Sequence, residues 1–486
     1  MEAINGDILV LPFYGQGHLF PCLELCKNLT SFNFKVTLII PSHLSSSIPT
    51  NLRHHSLLQL VEISTTTSTP SPPPLQKATE LPAFPTKGKG RNFMQGPFQH
   101  HHQQLGQGID TLLSERYNGS AKTQPICVVV DVMMSWSKEI FMKFDIPFVS
   151  FFTSGACAAA MEFAAWKNHV DEMKPGEIRI LPGLPESMAL SCSDIKRNRH
   201  GSSPQWQWVD EVEGSIALLI NTCYDLEGPF IDYVINQIEK PIWGVGPLLP
   251  ETFWKSPSSI LHDHEVRSNR QSNFTEEEMM QWLNSKPQRS VIYVSFGSEV
   301  GPSLEEYAQL ADALEASNHP FIWVIQAGSG RPGPTPGLFG GSQQEGYYPH
   351  GLEERTGNRG LIIKGWAPQL LILSHPSTGG FLSHCGWNST MEAMGRGIPI
   401  LAWPIRGDQF HDAKLVANYL KMGHMILLSD DPRVMVMKDD IVQGIDQLMN
   451  DEGVHNQAMS LRSIIQNGYP DSSMCSLKSF IQLISK

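Results

Sequence analysis

Short, uninterrupted apolar runs alternate with stretches of helical spacing along the first half of the chain. DILVLPF (7–13) reads as a strand, HLFPCLELCKNL (18–29) as a helix and KVTLIIP (35–41) as a second strand, a βαβ unit. ICVVVDV (126–132), the helical SWSKEIFMKF and IPFVSFF (146–152) resume the rhythm. These strands are continuously apolar instead of alternating, so each is expected to lie in a parallel sheet covered on both faces. ALLINTCYDLEG (217–228) and KPIWGVGPLLP (240–250) close this half.

Residues 251–274 lack periodicity and read as a linker. A second half then opens with two capping boxes, Thr275 with Glu278 and Ser303 with Glu306, flanking the strand SVIYVSFGS (290–298). FIWVIQA, LIIKGWAP, GGFLSHCG and PILAWPI supply further strands in regular order. Two doubly wound halves are predicted, with ligands in the cleft at the carboxyl ends of their strands. A Ser/Thr/Pro-rich insert at 64–97 and a Gly/Pro-rich loop at 328–349 interrupt them.

The 486 residues carry 36 Lys plus Arg against 48 Asp plus Glu, a formal charge of -12, so the basic footprint of a nucleic-acid binder is absent. Eight scattered cysteines without a C-x-x-C pair suggest reduced thiols. No basic residue precedes the first apolar run and no apolar run approaches the length of a membrane span, so a soluble cytoplasmic protein is expected. No Asp-x-Asp pair occurs, hence no metal is expected at a diphosphate. His100, His101 and His102 follow a polar stretch and read as a solvated helix start.

Gly15-Gln16-Gly17-His18 follows the first strand and opens like a dinucleotide fingerprint. Phe20 stands where the third glycine is needed, and the second strand ends in Pro41-Ser42 instead of an acid for an adenine ribose, so nicotinamide chemistry is set aside. What remains is His18 at a strand-to-helix turn. Asp131 ends another central strand after an apolar run, where a lone carboxylate would be costly to bury. If those strands are neighbours, Asp131 holds one ring nitrogen of His18 while the other takes a proton from a substrate.

Residues 366–409, WAPQLLILSHPSTGGFLSHCGWNSTMEAMGRGIPILAWPIRGDQ, resemble the signature box of plant secondary-product UDP-glycosyltransferases, family 1. G-Q-G-H near the start and Q-W-L with S-F-G-S at 281–298 extend the resemblance. It implies an α/β GT-B fold of two Rossmann-like doubly wound parallel-sheet domains facing across a cleft. Residues 1–250 would bind the acceptor, 251–274 link, 275–460 bind a UDP-sugar, and 461–486 form a helical tail returning to the first domain. The resemblance also implies a monomer.

By the same resemblance Trp366 stacks on uracil, with Ala367 beside it, and Gln369 reaches base or ribose. His384, Gly386, Asn388 and Ser389 form a helix start for the diphosphate, joined by Ser298 and Gly17, and Glu392 binds the ribose. Trp387, Asp408 and Gln409 meet the sugar, Gln409 pointing to glucose and Trp387 arguing against glucuronic acid. UDP-glucose is then a co-substrate, with no other cofactor; the helix terminus, His384 and hydroxyls neutralise the departing UDP. Arg406, beside the D-Q pair, departs from the family pattern and reads as a solvated or salt-bridged residue.

Gly15, Met94, Phe98, Phe152, Thr153, Ser154 and Trp206 fall in segments resembling the acceptor-facing loops and suit a flat flavonoid, other phenolic or terpenoid. The implied reaction is an inverting transfer giving a β-O-glucoside, with His18 as base. Two alternatives stand beside it: attack by a phenolic ring carbon to give a C-glucoside, and a non-catalytic UDP-sugar-binding protein.

Overall fold

The structure, a computed structural model, describes residues 4–65, 99–118, 124–174, 176–198, 208–255, 259–262, 272–326, 329–330, 346–426, 428, 431 and 434–486. The first sheet holds β1 (Asp7–Leu11), β2 (Lys35–Pro41), β3 (Leu58–Ile63), β4 (Cys127–Asp131), β5 (Phe148–Phe152), β6 (Ala217–Ile220) and β7 (Ile242–Gly244). All pairings are parallel, in the order β3-β2-β1-β4-β5-β6-β7. The second sheet holds β8 (Val291–Ser295), β9 (Phe321–Ile325), β10 (Gly360–Lys364), β11 (Thr378–Ser383), β12 (Ile400–Ala402) and β13 (Gly423–Met425), parallel in the order β10-β9-β8-β11-β12-β13.

Each sheet therefore has the doubly wound order, with winding reversed between β1 and β4 and between β8 and β11. The continuous apolar strands β1, β4, β5, β8 and β9 are buried along their whole length, as helices on both faces require. Those helices include α1 (Gln16–Ser31), α2 (Gln99–Asn118), α3 (Ala156–Lys167), α4 (Tyr224–Gln237), α5 (Glu276–Asn284), α6 (Leu304–Ala316), α7 (Trp387–Arg396) and α8 (Asp471–Ile484). Both capping boxes form, Thr275 with Glu278 opening α5 and Ser303 with Glu306 opening α6. Leu477 and Phe480 of α8 are buried against the first sheet together with Val245 and Leu248.

Three local readings change. Helix α1 starts at Gln16 and runs through Pro21, whose missing N–H leaves the Gly17 carbonyl without its helical donor. The expected linker contains a helix, Glu251–Lys255, that buries Phe253 beneath the Arg396 guanidinium, 4.4 Å from the ring centroid. His101 and His102 are not a solvated helix start: they are 6% and 1% exposed. The His102 ring stacks on Trp136 at 4.7 Å and faces Tyr14 at 5.8 Å, because α2 turns this face inward over the loop after β1.

Candidate active site

His18 and Asp131 meet because β1 and β4 are adjacent, with Leu11 level with Val130. The chain leaves β1 through the 12–15 turn and places His18 in the first turn of α1; Asp131 is the last residue of β4. Asp131 is 1% exposed. Its Oδ1 accepts the Met133 backbone N–H at 2.9 Å, which fixes the carboxylate so that Oδ2 meets Nδ1 of His18 at 2.7 Å. With Nδ1–H donated there, Nε2 is the nitrogen left to accept a proton.

Thr153, which sequence reasoning placed among the acceptor contacts, belongs to this centre. Its Oγ1 is 2.8 Å from Nδ1 of His18 and 3.4 Å from Oδ2 of Asp131, so the hydroxyl bridges the pair. Phe13 flanks the imidazole edge-on at 5.1 Å. Burial alone would push the His18 pKa down. The Asp131 charge and hydrogen bond, with Glu299 and Asp408 beyond, outweigh it and raise the ring to about 9.

Across the cleft, the turn from β11 into α7 presents backbone N–H groups at a ten-residue helix whose N-cap, Gly386, offers no side-chain acceptor. Such a terminus suits a diphosphate. His384 sits at this turn between two close glycines: a Cβ at Gly297 would lie 2.7 Å from its Nε2, and one at Gly386 2.5 Å. Burial lowers its pKa to about 4. By burial alone the ring is held toward its neutral form, whereas a diphosphate charge beside it would act in the opposite direction. Ser298 and the half-exposed Gly297 border the same turn from the loop after β8.

Gln369, Ser389 and Glu392 come together as one polar cluster. The Gln369 amide nitrogen donates to Glu392 at 2.7 Å and to Ser389 at 3.1 Å, and its oxygen accepts from the Tyr293 hydroxyl at 3.1 Å. Trp366 and the buried Ala367 follow β10 at the edge of this cluster, Trp366 6.3 Å from the Phe20 ring of α1. Gln409 accepts the backbone N–H groups of Ile405 and Arg406 at 3.0 and 3.1 Å, which identifies the tied atom as its oxygen and leaves the amide nitrogen to meet a hydroxyl. Asp408 precedes it, half-buried and near enough to act on His18.

Two residues of the box turn out to join the halves. Trp387, expected at the sugar, is 4% exposed and donates its indole N–H to the Asn221 carbonyl at 2.6 Å. Its side chain is thus committed to the first half of the chain. Asn388 donates to the Gly17 carbonyl at 3.0 Å, supplying the donor that Pro21 withholds.

The remaining acceptor expectations divide. Gly15 lies at the cleft as the N-cap of α1. Phe152 is buried on one face of β5, 5.9 Å from Trp208. Ser154 is buried against Asp412. Met94, Phe98 and Trp206 lie outside the described residues. Sequence reasoning passed over Tyr293, Asn221 and Glu299. Tyr293 reads as an ordinary strand residue, and only Glu299, directly after S-F-G-S, had a motif beside it. No group able to hold a metal occurs among the described residues, and no described helix is long and apolar enough to cross a membrane.

The family described as Glycosyltransferase, N-terminal domain matches residues 6–250, and the one described as UDP-glucoronosyl and UDP-glucosyl transferase matches residues 250–470. The chain is 28% identical over 477 residues to the anthocyanin 3'-O-beta-glucosyltransferase of Gentiana triflora, covering 94% of this chain and 93% of that one. It is 28% identical over an alignment of 501 positions, gaps included, to the scopoletin glucosyltransferase of Nicotiana tabacum, covering 98% of this chain and 97% of that one. Phytolacca americana UGT2, solved with UDP-2fluoro-glucose and pterostilbene, superposes with a TM-score of 0.71 at 25% identity over 99% of this chain and 100% of that one. Medicago truncatula UGT71G1, solved with UDP-glucose, gives 0.72 at 23% identity, covering 100% of both.

Proposed function

Because the chain belongs to the plant secondary-product UDP-glycosyltransferases, enzymes of GT-B fold, we propose that it transfers glucose from UDP-glucose to the hydroxyl of a small phenol with inversion. The observation that carries this reading is the His18–Asp131 pair at 2.7 Å, with Asn388 in the first turn of α7 bonded to the carbonyl of Gly17 beside it. His18 Nε2 takes the acceptor proton, the acceptor oxygen forms its bond to the anomeric carbon, and the bond from that carbon to the diphosphate breaks with its electron pair leaving on UDP. Attack opposite the leaving group turns an α-linked donor into a β-glucoside. Asp131 and Thr153 hold the imidazolium, and the amides of α7 receive the charge developing on UDP.

The raised His18 pKa makes the ring a stronger base toward a phenolic hydroxyl than a free imidazole. The phenol-acting relatives support the same class, the Nicotiana enzyme being named for scopoletin and the Phytolacca structure holding pterostilbene. Glucose as the sugar is supported by Gln409, whose tethered oxygen directs an N–H donor to a hydroxyl. All eight cysteines are unpaired, seven of them buried, in keeping with a reducing cytoplasm.

Quercetin, 4-methylumbelliferone and geraniol, each offered UDP-glucose, UDP-galactose and UDP-glucuronic acid, test the proposal by product mass and linkage. Turnover of the two phenols with UDP-glucose is expected. Hot acid should release glucose from the products; resistance would indicate a carbon linkage, and exclusive turnover of geraniol would reject the phenol class. On the donor side, Glu392→Ala removes the nearer acceptor of the half-buried Gln369 amide, leaving it Ser389, and removes the carboxylate assigned to the ribose. A KM for UDP-glucose raised by roughly 10- to 100-fold is expected, with kcat changed much less, the scale of a lost hydrogen bond to a charged group.

A further inference from the structure

One charged pair at the cleft mouth has no task in that mechanism. Glu299 follows Ser298 in the loop after β8, and Arg406 stands in the loop after β12 with Nη2 3.4 Å from Glu299 Oε2. The other carboxylate oxygen reaches the opposite half of the molecule. A Cβ built on Gly15 would overlap Glu299 Oε1, and that same point lies 3.3 Å from Cδ2 of His18. Gly15 has φ -78 and ψ 152, a backbone conformation open to any residue, so glycine is needed there for room and not for conformation. The absent side chain lets a carboxylate from the second half approach the imidazole along the edge that Asp131 does not touch.

We propose that Glu299 is a positioning residue for the transfer: its charge, partly offset by Arg406, supports the imidazolium formed when His18 receives the acceptor proton. The inference rests on His18 being the base. The charged groups acting on His18 are Asp131 at the end of β4, Glu299 from the loop after β8 and Asp408 from the loop after β12; Thr153 contributes an uncharged hydroxyl. Asp131 fixes ring orientation from within its own half. Glu299 reaches the ring only when the two halves lie together, so its support is present only in the assembled cleft.

The signs follow from the charges. Removing the Glu299 charge destabilises the imidazolium, so His18 gives up its proton at lower pH. Removing the Arg406 charge leaves Glu299 unopposed, and His18 then holds its proton to higher pH. Glu299 and Arg406 are both partly exposed, so each shift is expected to be about half a pH unit and to shrink as salt is added.

The test compares wild type, Glu299→Gln and Arg406→Gln. His18 ring titration is followed by NMR with UDP bound, alongside the pH profile of kcat/KM with UDP-glucose and quercetin. Ring titration and acid limb should move down together in Glu299→Gln and up together in Arg406→Gln. Unmoved titrations overturn the inference. So do shifts in the same direction, or a loss of rate equal at every pH, each of which marks a structural role. A wild-type acid limb that fails to follow the ring titration would instead remove His18 from the base role, a separate failure.

Discussion

Replacing His18 with alanine is expected to lower kcat by about 1,000-fold, or about 4 kcal/mol of transition-state stabilisation, with the dissociation constant for UDP changed by less than about twofold. The ring lies against Asp131 and Thr153 of the first half, whereas the proposed nucleotide contacts other than Gly17 lie on the second, so base and donor site can be lost separately. Single-turnover rates and UDP calorimetry on the same variant check both halves of the statement. The loss should shrink for phenols acidic enough to ionise unaided at the assay pH, because they need no base. In the wild type, kcat/KM for a weakly acidic phenol should climb with pH toward about 9 as His18 loses its proton. Comparable turnover in His18→Ala at every pH would end the assignment.

Asp131→Asn is expected to reduce kcat by roughly 100- to 1,000-fold, again with UDP affinity held. The amide keeps the shape of the carboxylate but brings no charge to the imidazolium, and its NH2 group can face Nδ1 and reverse the tautomer. The acid limb should therefore fall to lower pH even as the plateau rate drops, a combination that simple unfolding does not produce. Stability gives an independent reading. His18 binds its proton more tightly in the folded protein, so the ion pair adds stability in full below about pH 6.5 and loses it as pH rises through about 9. Thermal melts of wild type across that window should show the decline, and those of Asp131→Asn should not. An equal loss of UDP binding and turnover would make Asp131 a structural residue only.

The strands were legible because a parallel sheet covered on both faces leaves a physical mark, unbroken apolar runs, and β1, β4, β5, β8 and β9 all carry it. Thr275 and Ser303 were legible as caps because capping is local, settled within one helical turn. Readings failed where a residue's environment comes from distant chain. His101 and His102 look solvated from their polar neighbours, yet α2 packs them beneath Tyr14 and Trp136. The motif that places Trp387 near the sugar says nothing of the Asn221 carbonyl, which takes its indole N–H. Thr153 carries no signal of its own, and its place beside His18 depends on β5 lying next to β4.

From sequence alone came the two α/β halves, the glycosyltransferase signature and the chemical kinds of residue at the centre, since these depend on local periodicity and on side chains a reaction cannot do without. Only the folded chain decided how those groups meet. Winding β1 beside β4 closed His18 onto Asp131, Pro21 in α1 left the Gly17 carbonyl for Asn388, and the bare Gly15 made room for Glu299. Each of these contacts joins residues more than a hundred positions apart, and such distances are fixed by the packing of whole elements, to which no local pattern of hydrophobic and polar residues is sensitive.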